Sequence, residues 1–203
     1  MVTTVTQVDS REAMQQARDV LVHSFLDDPI SKFYIADCNK RLTLLTGLYQ
    51  GVIRHGVQQH SVFTLPGKVR ATAVWVMPGQ KTTSVLDMLR LSMVKTVLRV
   101  GVAWAFRTLS YVELADKMRA QLAPQPHVYL YMLGVDPAYQ SAGLGSQLIT
   151  PMLEKADSEH LPVYLETFNP RTLSFYKRHG FEVKAEQPVS HGGPMGWFMY
   201  RTV

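Results

Sequence analysis

Tyr129-Leu-Tyr-Met-Leu-Gly134-Val-Asp-Pro-Ala-Tyr-Gln140-Ser-Ala-Gly-Leu-Gly145-Ser-Gln-Leu-Ile-Thr-Pro-Met-Leu-Glu-Lys-Ala156 is the stretch on which the fold turns. Val128 to Val135 has strand length and is apolar on both alternating faces, as a central strand covered on two sides must be. Asp136-Pro137 stops it, because proline fixes φ and offers no N–H to a ladder. After a loop to Gly143, Leu144, Leu148, Ile149, Met152, Leu153 and Ala156 recur on one helical face. Pro151 interrupts this helix and predicts a kink. Gly143 and Gly145 lie where the helix begins. Without Cβ atoms there, a ligand can approach the free N–H groups of the first turn, and the positive end of the helix dipole favours an anion.

Three phosphate-loop patterns compete for this stretch. A nucleotide P-loop is excluded, since no Gly-Lys-Ser/Thr occurs in the chain. The dinucleotide fingerprint fits halfway: Gly143 and Gly145 supply two glycines and Glu166 follows about 20 residues on, but Leu148 replaces the third glycine and the turn is not tight. The third pattern also uses Gln140. Gln140-Ser141-Ala142-Gly143-Leu144-Gly145 resembles the Gln/Arg-x-x-Gly-x-Gly/Ala pyrophosphate loop of GNAT-superfamily N-acetyltransferases.

A second signature lies about 30 residues on. Asn169-Pro-Arg-Thr-Leu-Ser-Phe-Tyr176-Lys-Arg-His-Gly180-Phe181 resembles the superfamily's Asn-x(6)-Tyr followed by Gly-Phe. A spacing of seven places Asn169 and Tyr176 on one helix face, two turns apart. Asn at the N-cap with Pro170 at N1 opens a helix, and His179-Gly180 closes it. The resemblance covers residues 127–201 closely. Gly-Leu-Gly-Ser146, Pro151, Leu-Glu-Thr167, Pro-Arg171 and Phe-Tyr176 look like the puromycin N-acetyltransferase branch, while the acceptor-side half matches that branch poorly.

The resemblance implies an α/β (α+β) fold: a mixed, mostly antiparallel twisted sheet with a central splayed parallel pair, Tyr129–Val135 and Pro162–Thr167, flanked by helices. It implies one domain over residues 1–203, acceptor-side to about 124 and acetyl-CoA-binding from about 125. Acetyl-CoA is the expected cosubstrate. Backbone groups of Leu133, Gly134 and Val135 would bond its pantetheine arm, and Gln140, Ser141, Ala142, Gly143, Leu144, Gly145 and Ser146 its pyrophosphate. Asn169 and Tyr176 would line the same site. An amine attacks the thioester directly, needing oxyanion stabilisation and a proton for the departing thiolate. Tyr176 is the expected proton donor and Glu166 the candidate base, directly or through water. Against these stand plainer readings: a packing tyrosine, and a carboxylate outside the pocket. The alternative function is a non-catalytic acyl-CoA sensor or interaction module, which would need the loop but not Asn169 with Tyr176.

The rest of the chain sets bounds. At 203 residues it is large enough to bury a full core unaided. The net charge of +5 is scattered, which suits an anionic cosubstrate and shows no nucleic-acid footprint. A lone Cys38 excludes an intrachain disulfide and a multi-cysteine zinc site, and the seven histidines form no metal pattern. The N-terminus carries no signal-peptide pattern, so a cytoplasmic location is expected. A small-molecule amine acceptor is the expected partner, with no nucleic acid and no membrane span; a homodimer is left open.

Residues 2–8 read as a strand. Asp9 with Glu12 forms a capping box for a helix whose inner face is Ala13, Ala17, Val20, Leu21, Ser24 and Phe25. It ends near Asp27-Asp28-Pro29, a carboxylate pair able to meet a cation but more simply a solvated turn. A helix from Lys40 to Gln58 would turn Leu42, Leu45, Tyr49, Val52 and Ile53 inward. Ser61–Leu65 and Val69–Met77 form a hairpin about Pro66-Gly67-Lys68. From Thr82 to Ala123 the pattern is helical and oily, broken near Gly101. Asp87, Arg90, Lys95, Arg99 and Arg107 deny it the run of roughly 18–20 uncharged residues that a span needs. Trp104 and Phe106 there suggest an amine on a largely apolar body. Phe181–Ala185 and Gly196–Thr202 close the chain as strands around a Pro188–Gly193 loop.

Overall fold

The computed structural model describes residues 4–82 and 103–203. Seven strands form one mixed sheet in the order β1-β2-β3-β4-β5-β7-β6. They are β1 (Thr6–Gln7), β2 (Val62–Thr64), β3 (Ala71–Val76), β4 (Val128–Val135), β5 (Val163–Thr167), β6 (Glu182–Pro188) and β7 (Met195–Arg201). The helices are α1 (Arg11–Phe25), α2 (Pro29–Tyr34), α3 (Cys38–Gln58), α4 (Ala103–Leu122), α5 (Leu144–Ser158) and α6 (Leu173–Arg178). All neighbouring strands run antiparallel except β4 and β5, which are parallel.

That parallel pair is joined only at Val128↔Val163 and Tyr129↔Tyr164. Beyond those two rungs β4 continues through Leu130–Val135 and β5 through Leu165–Thr167 without pairing, so the sheet splits at its centre. Each strand is secured on its outer side, β4 by β3 and β5 by β7. The opening therefore leaves no strand unsupported.

The sheet divides the core in two. On one face, α1, α3 and α4 bury Ala17, Leu21, Leu45, Ile53, Trp104 and Met118 against Tyr129, Tyr164 and Phe198. On the other, α5 and α6 bury Leu148, Ile149, Leu153 and Tyr176 against Val128, Leu130, Val163 and Leu165. Both faces of β4 are covered, as its unbroken apolar run predicts. Fully burying one such side chain contributes roughly 1.5–3 kcal/mol, so either layer alone is a large share of a domain's net stability.

A bulge on β4 shapes the site. Val74 pairs with Met132 and Trp75 with Leu130, which makes Tyr131 the extra residue. Tyr131 and Met132 consequently join Tyr129 on the α1–α3–α4 face, while Leu133 and Val135 return to the α5–α6 face.

Several local details differ from the sequence expectations. The cap of α1 is Ser10, whose Oγ accepts from Ala13 N at 3.1 Å, not Asp9. Within the described residues β1 is only two residues long. Helix α3 begins at Cys38, capped by Asp37, and Leu42 is exposed while Leu44 and Leu48 face inward. Helix α5 runs through Pro151 without a break in its span. The hydrogen bond lost there is that of the Gln147 carbonyl, on an exposed residue where water can replace it. Strand β6 extends to Pro188, at the sheet edge where a missing N–H is tolerated.

Much of the oily helical stretch, residues 83–102 with Val85, Leu86, Leu89, Met93, Val97, Gly101 and Val102, lies outside the described residues. Of its remainder, Trp104 is buried, whereas Phe106 is 69% exposed and Leu109 is exposed too. Among the described residues no helix is long and apolar enough to cross a membrane, and no cluster of His, Cys, Asp and Glu is placed to hold a metal.

Candidate active site

The split between β4 and β5 opens toward the loop that leads into α5. Asp136 N–H donates to Arg70 O at 2.9 Å. By the alternation of an antiparallel ladder, Gly134 then also bonds β3, and Leu133 and Val135 turn their amides to the edge that β5 has left. Of the three residues expected to offer backbone groups there, Gly134 is thus turned the other way. Its role is steric: a Cβ would come within 2.9 Å of Leu21 Cδ2 and Ser24 Oγ, so glycine lets α1 lie against the strand.

Asp136 caps a 3-10 turn, Pro137–Tyr139, accepting from Ala138 N at 2.9 Å. Gln140 folds back, and its Nε2 donates to Val135 O at 3.2 Å. Ser24 Oγ reaches the same carbonyl at 2.8 Å. The Gln140 side chain therefore latches the loop to the strand end and does not point out toward a ligand. Ser141 (φ +64°) and Gly143 (φ +76°) are left-handed, a conformation that costs a non-glycine residue about 1–2 kcal/mol.

Gly143 is the N-cap of α5, and no side chain caps the first turn. The N–H groups of Leu144, Gly145 and Ser146 precede the first intrahelical bond, Gln147 N to Gly143 O at 3.0 Å. Residues 141–143 are exposed. The two glycines do different work. A Cβ on Gly143 would meet only Gln147 Nε2 at 4.0 Å, so that position is open. A Cβ on Gly145 would sit 3.3 Å from Phe175 Cζ, so its smallness lets α5 pack on α6.

Glu166 lies on β5, two residues after Tyr164, and the strand's period of two sends it to the α1–α3–α4 face. Its Oε1 accepts a hydrogen bond from Tyr111 on α4 at 3.1 Å and another from Tyr129 on β4. Its Oε2 is buried and has no partner. Burial pushes the carboxyl up to about 7, and the Tyr129 and Tyr111 hydrogen bonds pull against that rise. Arg119 stacks 5.0 Å from the centre of the Tyr129 ring. Tyr34 and Tyr111 stack edge-on at 6.3 Å, and Tyr129 and Tyr131 lie 5.5 Å apart. The carboxylate thus sits in a wall of phenols, a group matched in acidity to proton transfer at neutral pH.

Tyr176 lies across the sheet, in the other core layer. Its ring packs against Phe175 at 5.1 Å and Phe181 at 5.9 Å. Burial holds its phenol well above the ordinary range, helped by the charges of Asp28 and Glu166, so at neutral pH it is a proton carrier and not a phenolate. Asn169 does not share a helix face with it. The chain after β5 starts as a 3-10 turn, Pro170–Thr172, and Asn169 caps that turn, its Oδ1 accepting from Arg171 N at 3.1 Å. Its Nδ2 instead donates to Asp28 Oδ2 at 3.3 Å.

Asp28 is a residue whose surroundings the sequence reading misplaced. Read as part of a solvated turn, it is 8% exposed, caps α2 through Ile30 N at 3.1 Å, and has its carboxyl raised by burial. The missed signal was Asp28-Pro29 itself, a favoured cap-and-N1 pair. Arg41 sets the corner from beneath: buried, it donates to Leu26 O at 2.6 Å and to Ile35 O and Ala36 O, both at 2.8 Å.

A seven-stranded mixed sheet split at its central parallel pair, with an uncapped helix N-terminus beside the split, is the arrangement of the GNAT fold. Residues 100–181 match the Acetyltransferase (GNAT) family. An uncharacterized N-acetyltransferase of Schizosaccharomyces pombe is 22% identical over 173 residues, 82% of this chain and 70% of that protein. Among solved structures, a Corynebacterium glutamicum protein described as histone acetyltransferase HPA2 and related acetyltransferase superposes with a TM-score of 0.65 at 19% identity, covering 100% of this chain and 97% of that one. The Drosophila melanogaster polyamine N-acetyltransferase, which forms N-acetylagmatine, gives 0.64 at 14% identity, covering 98% and 99%.

Proposed function

We propose that the chain transfers an acetyl group from acetyl-CoA to the primary amine of a small, partly apolar molecule by direct attack. The observation that carries this reading is the placement of Glu166. It is a buried carboxylate with one bare oxygen, pushed to about 7, beside a strand edge whose amides are open. An acyl-CoA sensor has no use for such a group.

The residues present fit acetyl-CoA. The uncapped turn of α5 and the open space at Gly143 suit a pyrophosphate, with amides of residues 141–146 as its donors. Leu133 and Val135 would receive the pantetheine arm, as strands receive an added strand. When bound, the cosubstrate supplies a thioester, whose carbonyl accepts the amine. An amide at Val135 is the candidate oxyanion donor. Glu166 takes the amine's proton, Tyr129 and Tyr111 holding it in place. Tyr176, on the other side of the split, gives a proton to the departing sulfur. Helices α1, α2 and α4 wall the acceptor side with phenols and aliphatic groups, which favours an amine on an apolar body. The polyamine chemistry of the fly structure places cationic amines in the same test.

The test is a thermal-shift titration with acetyl-CoA, followed by thiol release over a panel of aryl, alkyl and polyamine acceptors. A shift with thiol release on at least one amine is expected. A shift with no release on any amine would make the chain a sensor, and no shift would remove the CoA reading altogether.

A further inference from the structure

Asp27 and Asp28 are adjacent at the corner between α1 and α2, and the fold treats them oppositely. Asp27 is 77% exposed and meets two cations, Lys32 Nζ at 3.0 Å and Arg41 Nη2 at 3.6 Å. Asp28 is buried, and among the described residues no lysine, arginine or histidine nitrogen lies within 4.0 Å of it. Its partners are two neutral donors, the Ile30 N–H on Oδ1 and the Asn169 amide on Oδ2, the latter a long 3.3 Å. A carboxylate has about four acceptor positions, and a buried one is normally matched by an opposite charge. Half of this capacity, and all of the charge, is unmet by those donors.

The surroundings fit a cation. Tyr34 on α2, Tyr49 on α3 and Tyr176 on α6 all have their phenols raised in part by the Asp28 charge, behind the larger effect of burial. Ring faces attract ammonium groups. Tyr34 stacks on Tyr111, which holds Glu166, so one aromatic wall connects the two carboxylates. Through Asn169, Asp28 is also tied to the turn that leads into the Tyr176 helix.

Resting on the transferase reading, we propose that Asp28 receives the acceptor's nitrogen as an ammonium and so sets the preference for an organic cation over its neutral isostere. The ammonium donates one N–H to Asp28 while another proton passes to Glu166, leaving a free amine. Asp28 neither gains nor loses a proton. Asp27, already matched, plays no part.

Asp28→Asn tests this with little structural cost, because asparagine is as good a helix cap as aspartate. The protein is loaded with CoA, which cannot transfer acetyl, and titrated calorimetrically with amine and alcohol pairs: 2-phenylethylamine and 2-phenylethanol, butylamine and butanol, 1,4-diaminobutane and 1,4-butanediol. Alkyl amines with pKa near 10 are ammonium ions at neutral pH. In the wild type at least one amine should bind 10-fold or more tightly than its alcohol. Asp28→Asn should reduce that ratio to about 3 or less, while Asp27→Asn keeps most of it. CoA affinity and Tm serve as folding controls. A ratio unchanged in Asp28→Asn, or no amine preferred over its alcohol in the wild type, overturns the assignment. Thiol release from acetyl-CoA is measured separately, so failure of the transferase reading is seen there and failure of the Asp28 assignment here.

Discussion

Tyr111, midway along α4, donates a 3.1 Å hydrogen bond to Oε1 of Glu166 on β5, so a helix from the first part of the chain helps set the acidity of a carboxylate in the second. Such a bond favours the charged form and lowers the pKa against burial. The rate should therefore rise with pH through about 7 as Glu166 ionises. Tyr111→Phe should move that limb to higher pH, because the lost donor had stabilised the carboxylate. Glu166→Gln should slow alkyl amines, with pKa near 10, more than α-amino acceptors near 8, which need less help. pH–rate profiles for the three proteins decide. Equal rates for Glu166→Gln and wild type on the best acceptor would retire Glu166 as base.

The same carboxylate has a stability signature. Its folded pKa of about 7 lies above the ordinary 4.5, so between those values the native state binds more protons than the unfolded chain. Stability then falls as pH rises through that window. Glu166→Gln carries no such charge. Relative to wild type it should gain stability between pH 5 and pH 8, read from urea midpoints. A difference that does not vary with pH would mean the carboxylate is solvated.

Gly143 and Gly145 look equivalent in sequence and should fail differently. Gly143→Glu places bulk and negative charge at an open position, and acetyl-CoA affinity should fall 10-fold or more, about 1.4 kcal/mol. Gly143→Ala shares the left-handed strain without the charge, and should cost less affinity. Gly145→Ala presses on Phe175, next to Tyr176. Overpacking of this kind costs roughly 1–3 kcal/mol, so Tm and kcat should fall with a smaller change in acetyl-CoA affinity. Calorimetry with a folded Gly143→Glu protein of unchanged affinity would refute the pyrophosphate assignment.

What could be read from the sequence was local. The run into Asp136-Pro137, the loop into α5, and the Asn169-Pro170 cap each depend on neighbouring residues whose chemistry admits few conformations. Long-range pairing could not be read. Tyr111 and Tyr129 are 55 and 37 residues from Glu166, and nothing in their flanks marks them as its partners. Asp27 and Asp28 differ only in which one the Arg41 clamp and the Asn169 amide leave buried. Asn169 and Tyr176 are seven apart, but that spacing shares a face only in an α-helix, and the 3-10 start breaks it.

Tyr176 is where the proposed chemistry is most exposed to test. Its ring is held by Phe175 and Phe181, and its phenol is kept protonated by burial and by Asp28 and Glu166. Replacing it with phenylalanine keeps the ring contacts and nearly all the volume, so folding and acetyl-CoA affinity should barely change. Only the hydroxyl is lost. The leaving thiolate is comparable to a cysteine thiol of pKa about 8.5 and departs tolerably unaided. The loss should therefore sit at the low end of the usual 10²–10⁴-fold range for general acids. We expect kcat to fall about 10²-fold, near 2.7 kcal/mol of barrier, with saturating acceptor and an unchanged acetyl-CoA binding constant. The high phenol pKa gives the test a second reading: no alkaline limb from Tyr176 should appear in the wild-type profile below pH 10. Full activity in Tyr176→Phe would leave the ring as packing and water as the proton donor.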